Sequence, residues 1–256
     1  MNRAGLQQLF DMSGRVVVVT GGTRGIGLAL AEGFVAAGAK VVVASRKPEA
    51  CTMAADHLRE LGGEAMGVPT HVGTLEDLDA LVERTVDVFG AIDVVVNNAA
   101  NALGQPLAEQ TPEAWTKSFD VNLRGPVFLV QKALPHLMAS SHAAVLNVVS
   151  VGAFIFSPRV SMYAAGKAAL MSFTRSMAAE FAPHGIRVNA LAPGSTDTDM
   201  TRANPPEFKV SMANASLQKR IADPEEMIGP ALLLTSDAGS FITGQVILAD
   251  GGMVAR

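Results

Sequence analysis

A chain of 256 residues has room for one large α/β domain, and a formal net charge of −4 without a strongly basic run argues against a nucleic-acid surface. Apolar residues make up 49% and aromatic residues 5%, so alanine, valine, glycine and leucine must build the core. The single cysteine, Cys51, excludes a disulfide within the chain, no apolar run reaches membrane length, and the first residues lack the apolar region of a signal peptide; the expectation is a cytoplasmic protein.

Residues 1–13 read as an extension ahead of the first strand. Val16 to Val19 are four consecutive valines, the pattern of a strand buried on both faces of a parallel sheet. The run leads through Thr20-Gly21-Gly22-Thr23-Arg24-Gly25-Ile26-Gly27 into a helical pattern that stops at Gly38. Lys40 to Ala44 is a second strand, and Pro48 opens the next helix at its first turn. Met66 to Val72 is a weaker third strand, followed by a helix for which Thr74 and Asp77 form a capping-box pattern. Asp93 to Val96 is a fourth strand, ending at Asn97-Asn98-Ala99-Ala100.

A long helix is expected from Pro112 to about Met138, with the polar Asn122 inside it. Ala144 to Val149 is a fifth strand, ending at Ser150. Ser161 to Phe181 is helical, and Ile186 to Ala190 is a sixth strand, broken at Pro193-Gly194. Residues 195–222 read as a loop-like substrate region. Asp223 to Glu226 caps another helix, and Val246 to Ala249 is the last strand. The alternation predicts an α/β fold of the Rossmann type: a single domain over 1–256, with a doubly wound, seven-stranded parallel sheet and helices on both faces. Gly21, Ser45, Asn97, Ser150 and Pro193 each sit just past a strand, so they converge on one edge of the sheet, where ligands bind in such folds.

A glycine-rich turn between strand and helix frees backbone N–H groups for phosphate oxygens. Gly21 makes the turn, Gly25 admits a pyrophosphate, and Gly27 lets the helix pack on the sheet. At the end of the second strand, where a carboxylate would favour free ribose hydroxyls, stand Ser45, Arg46 and Lys47. With Arg24 inside the glycine loop, these cations suit a 2′-phosphate, so NADP(H) is expected and NAD(H) stays as the second reading. The plain alternative is that Arg46 and Lys47 only solvate a helix start, an awkward place for cations. Tyr163 is the only tyrosine. Lys167 follows one helical turn later on the same face, and Ser150 ends the neighbouring strand, so hydroxyl, phenol and ammonium would share one cleft. The ammonium would lower the phenol pKa toward neutrality. The five histidines show no ligand spacing, and no metal is expected.

From Gly14 to Met253 the chain resembles the short-chain dehydrogenase/reductase family, and in outline the 3-oxoacyl-(acyl-carrier-protein) reductases and related ketone and alcohol dehydrogenases. The resemblance rests on Thr20 to Gly27, Asn97 to Ala100, the set Asn122, Ser150, Tyr163 and Lys167, the turn Pro193-Gly194 and the terminal Asp250-Gly251-Gly252. It implies hydride transfer between a nicotinamide and a carbonyl carbon. Tyr163 would be acid or base, Ser150 hydrogen-bonded to the reacting oxygen, and Lys167 on the phenol and the ribose. Asn122 would bend its helix and hold a water. The cofactor residues so implied are Gly21, Thr23, Arg24, Gly25, Ile26, Gly27, Ser45, Arg46, Lys47, His71, Val72, Asn98, Ala99, Ala100, Tyr163, Lys167, Pro193, Gly194, Thr196 and Thr198.

Four positions depart from the family pattern: Ala100 for glycine, His71 for aspartate, Gly166 for serine or alanine, and Thr196 for isoleucine. Enoyl reductases of related fold carry a wider tyrosine–lysine spacing than the three residues here. The substrate pocket is expected from 101–107, 151–159 and 195–220, where Arg159, Arg202 and Lys209 would meet a phosphate of an acyl carrier or coenzyme, or be ordinary surface charges. Apolar residues on more than one face of the helices at 112–138 and 161–181 point to subunit contacts, and the resemblance implies a homotetramer, with a dimer second. An NAD-dependent secondary-alcohol dehydrogenase and a non-catalytic dinucleotide-binding protein are the competing functions.

Overall fold

The computed structural model describes residues 1–156 and 158–254; Ser157, inside the expected pocket loop, and residues 255–256 lie outside the described residues. The chain opens with helix α1 (Arg3–Gln8), followed by strand β1 (Val16–Thr20), α2 (Gly25–Ala36), β2 (Lys40–Ser45), α3 (Pro48–Glu60), β3 (Ala65–Pro69), α4 (Leu75–Phe89) and β4 (Val94–Asn97). Next come α5 (Pro112–Phe119), a π turn (Asp120–Arg124), α6 (Gly125–Ala139), β5 (Ala144–Val148), α7 (Ser161–Phe181) and β6 (Arg187–Pro193). The chain ends with α8 (Asp199–Arg202), α9 (Pro206–Ala215), a 3₁₀ turn (Pro224–Met227), α10 (Ile228–Thr235) and β7 (Val246–Ala249). All strand pairs are parallel, in the order β3-β2-β1-β4-β5-β6-β7. The order reverses between β1 and β4, which opens a crevice at their carboxyl ends.

Alternation along the strands explains the valine runs. Val17, Val19, Val41, Val43, Val94 and Val96 face one core with α2, α3 and α10. Val18, Val42, Val95 and Val145 face the other with α4, α6 and α7. Each buried valine contributes about 1.5–3 kcal/mol relative to exposure.

Several elements differ from the sequence expectation. The amino-terminal segment is docked: Asn2 caps α1, Met12 is fully buried, and its N–H donates to the Ala37 carbonyl at 2.8 Å. Strand β3 stops at Pro69. Thr74 makes no side-chain cap, and the Asp77 carboxylate accepts from the His71 N–H at 2.7 Å instead of the Thr74 N–H. Strand β6 runs on to Pro193, which pairs with Ala249 before Gly194 turns away. The region 195–222 contains α8 and α9. Asp223 and Glu226 form the capping box as read. On the two helices expected at subunit contacts, Val130, Leu170 and Met177 lie buried in the chain's own cores, and Phe173 is exposed. Among the described residues, no helix is long and apolar enough to cross a membrane.

The expected long helix at 112–138 is interrupted where the Gly125 N–H reaches back five residues to the Asp120 carbonyl. Close packing accompanies this widened turn, since a Cβ on Gly125 would sit 2.0 Å from the Val72 carbonyl oxygen. Gly125→Ala is therefore expected to destabilise by about 1–3 kcal/mol, the overpacking cost outweighing the helix-propensity gain of about 1 kcal/mol. A thermal midpoint equal to the parent's would show that this contact yields freely.

Candidate active site

The glycine loop is held from β4. Thr20 Oγ1 donates to the Val96 carbonyl and accepts from the N–H groups of Asn98 (3.0 Å) and Ala99 (3.1 Å). The Asn98 amide donates to the carbonyls of Thr20 (2.9 Å) and Gly21 (3.2 Å). A Cβ on Gly27 would lie 2.2 Å from the Gly21 oxygen and 2.4 Å from Asn98 Nδ2, so only glycine fits. Gly21 and Gly25 have φ of 66° and 53°, the left-handed region that glycine enters freely. Helix α2 starts after Arg24 with no side-chain cap and no acidic residue in its first turn. Its leading N–H groups therefore suit an anion such as a pyrophosphate.

The surroundings of this loop sort the other expected cofactor residues. Thr23 and Ile26 lie on the loop, and Ile26 packs partly on the core. Arg46 and Lys47 are exposed just past β2 and make no ion pair among the described residues, whereas Arg24 pairs with Asp199 at 2.8 Å. Ser45 closes β2 by accepting from the Thr70 N–H. His71 is partly buried, and its ring nitrogen accepts from the Gly73 N–H; the Val72 carbonyl packs on Gly125. Ala100 is exposed, so its methyl group is accommodated. Thr198 lies over the glycine loop, its Cγ2 3.0 Å from a Cβ placed on Gly25, and Thr196 is buried. Pro193 and Gly194 pack on the terminal turn: a Cβ on Gly194 would meet Asp250 Cα at 2.7 Å, and the Asp250 carboxylate accepts from the N–H groups of Gly252 and Val254.

Beyond β5, the Ser150 side chain lies beside the Tyr163 phenol, and Ser150 Oγ accepts from the Gly152 N–H at 3.0 Å. The Lys167 ammonium is buried, donates to the Val148 carbonyl at 2.7 Å, and lies 5.8 Å from the centre of the Tyr163 ring. Burial pushes the Tyr163 phenol above its ordinary pKa, with the Ser150 hydroxyl opposing it. Burial also lowers Lys167 to about 8. The expected drop of the phenol toward neutrality is thus not found in the protein alone, where desolvation outweighs any attraction from Lys167.

Asn122 lies in the π turn, fully buried. Its amide donates to the Asn101 and Ser118 carbonyls, each at 2.9 Å, and its Oδ1 accepts from the Asn101 N–H. Gly166 explains itself here, since a Cβ at that position would come within 3.1 Å of Asn122 Cβ. Sequence reasoning missed a buried chain in which Asn97 donates to Asn147 (2.9 Å) and Asn147 to Thr174 (2.9 Å), tying β4, β5 and α7 together. A lone asparagine between Leu146 and Val148 was the available signal.

The family model described as enoyl-(acyl carrier protein) reductase matches residues 21–254. The 5-keto-D-gluconate 5-reductase of Escherichia coli is 33% identical over 252 residues, covering 97% of this chain and 99% of that protein. The 3-oxoacyl-(acyl-carrier-protein) reductase of Synechocystis is 38% identical over 250 residues, covering 95% of this chain and 98% of that protein. A gluconate 5-dehydrogenase from Burkholderia cenocepacia, solved in complex with NADP and tartrate, aligns with a TM-score of 0.93 at 32% identity, covering 98% of this chain and 99% of that one. The chain belongs to the short-chain dehydrogenase/reductase family, oxidoreductases that use NAD(P)(H) on alcohols and ketones.

The Lys167 shift has a defined sign. The unfolded lysine holds its proton to about pH 10.4, and the folded one releases it near 8. Between these values the unfolded chain binds more protons, so this residue makes stability rise with pH. In urea unfolding without added cofactor, wild-type stability relative to Lys167→Met should be flat over about pH 6–7 and climb from about 8 toward 10, by at most about 1.4 kcal/mol per pH unit. A constant difference across that range would show an ordinary ammonium.

Proposed function

We propose that this protein reduces a ketone with NADPH, with Tyr163 supplying the proton to the developing alkoxide. The observation that carries this reading is the gathering of Ser150, Tyr163 and Lys167 past the carboxyl end of β5, on the sheet edge that also carries the glycine loop. Bound in that crevice, the nicotinamide would supply the hydride.

The chain's own groups do the rest. A phenol whose pKa is raised by burial stays protonated at neutral pH, as a proton donor must. Ser150 hydrogen-bonds the oxygen on which charge develops. Lys167 would hold the nicotinamide ribose hydroxyls, and its ammonium supplies positive charge on the phenol's side of the cleft. Asn122 fixes the π turn against α7, which keeps the lysine helix in place. The N–H groups at the start of α2 would hold the pyrophosphate, and Arg46 and Lys47 would meet the 2′-phosphate, joined by Arg24 on release from Asp199. NADP(H) rather than NAD(H) is the cofactor on this reading. Loops 101–107, 151–159 and 195–220 enclose the substrate. Keto acids and 3-oxoacyl thioesters are the first classes to test, since the relatives above are named for both.

Tyr163→Phe should lower kcat by about a hundredfold or more, a typical general-acid contribution, with NADPH affinity within about threefold of wild type. Retained turnover would remove the mechanism. Arg46→Ala should raise KM for NADPH about tenfold, the loss of one charge-assisted contact, and leave that for NADH nearly unchanged. Equal effects on both cofactors would remove the phosphate assignment.

A further inference from the structure

Three cations stand in the loops around the proposed substrate position, and the structure separates them. Arg202 is engaged by Asp197 through two contacts, at 2.9 and 3.0 Å. Lys209 lies on α9, with Asp197 as its charged neighbour. Arg159 is exposed and makes no ion pair among the described residues. Its backbone is held at φ 67°, a region that an arginine adopts at a cost.

What holds Arg159 there is Gln105. The Gln105 N–H donates to the Arg159 carbonyl at 2.7 Å, which stitches the loop after β4 to the loop between Ser150 and Tyr163. A second stitch lies nearby, where the Gln110 amide donates to Ser161 Oγ at 2.6 Å, two residues before Tyr163. Gln105 Oε1 is buried and accepts no hydrogen bond from the protein. A buried amide oxygen without a donor costs about 1–3 kcal/mol, so a ligand hydroxyl that reached it would be favoured. One junction between these two loops therefore carries a guanidinium with no ion pair among the described residues and a buried amide oxygen with no donor.

We infer that Arg159 and Gln105 are a specificity-determining pair for a keto acid that also carries hydroxyl groups. Arg159 takes the carboxylate through its planar fork, and Gln105 Oε1 accepts from a neighbouring hydroxyl. The inference rests on the ketone-reductase reading and narrows its substrate class. It commits to anionic, hydroxylated ketones over neutral or purely acyl ones.

The test uses the full-length protein with NADPH and two ketones of equal length: 5-keto-D-gluconate, and L-sorbose, in which the carboxylate is replaced by a CH₂OH group. Arg159→Asn removes the charge while keeping a residue that tolerates positive φ. It should raise KM for the keto acid about tenfold or more, with kcat within about twofold, and leave L-sorbose kinetics unchanged. Arg159→Lys should recover part of that loss, and Gln105→Leu should weaken both ketones. In parallel, calorimetry measures tartrate binding to the NADP-loaded protein, a readout independent of turnover. Wild type should bind it, and Arg159→Asn should bind about tenfold more weakly. Equal losses for both ketones, or tartrate binding indifferent to Arg159, overturns the pair. A wild-type protein that reduces no ketone with either cofactor yet binds tartrate through Arg159 refutes the reductase reading and leaves the anion site standing.

Discussion

The fold turns on how closely two pieces of backbone approach where β1 hands over to α2. At Gly27 a single methyl group would have to occupy space 2.2 Å from the Gly21 carbonyl oxygen. That proximity lets the Asn98 amide reach the Thr20 and Gly21 carbonyls, and lets Thr20 Oγ1 take the N–H groups of Asn98 and Ala99. The glycine turn and the end of β4 are thereby one rigid unit, placed at the reversal of strand order. A loop aligned beforehand in this way binds an anion with little ordering cost.

A second unit lies one strand further along. Asn97, Asn147 and Thr174 are all buried, and each finds a partner in another. Such groups are expensive unless paired, so their geometry admits few alternatives. The chain fixes α7 against β4 and β5, and α7 carries Tyr163 and Lys167. Asn122 packs against the same helix at Gly166, eight residues before Thr174. The proposed reacting groups thus sit on a helix that is hydrogen-bonded to one buried asparagine and packed closely against another.

Much of this was legible from the residues. Valine runs revealed most strands because both sheet faces are covered, whereas β3, with Val68 as its one β-branched residue, is the weakly marked one. The glycine spacing revealed the turn because only glycine tolerates its φ values and its contacts. Three things were not legible. The π turn at Asp120–Arg124 looks like continuous helix in sequence, since its signal is a single polar residue, and widening the turn by one residue leaves the periodicity nearly intact. Thr74 and Asp77 carried a capping pattern, yet the carboxylate goes to His71, a choice that depends on where β3 ends. The apolar residues of α6 and α7 are compatible with subunit contacts and with a second core layer, which one-dimensional patterns cannot distinguish. Here Val130 and Leu170 face the chain's own sheet.

The proton affinities of the site also depended on burial that no motif shows. The motif alone argues for an ammonium that draws a phenol downward, but the same cleft desolvates both groups, and desolvation favours whichever form is neutral. The phenol is therefore pushed up and the ammonium down to about 8. At neutral pH both groups hold their protons, the state from which a carbonyl oxygen can be protonated. Running the chemistry the other way requires a phenolate, and therefore additional positive charge beside Tyr163 or water reaching its oxygen. On the proposed reading, the protonated phenol is the form that donates to a carbonyl oxygen, and the reverse reaction needs charge brought in with the reactants to offset the desolvation.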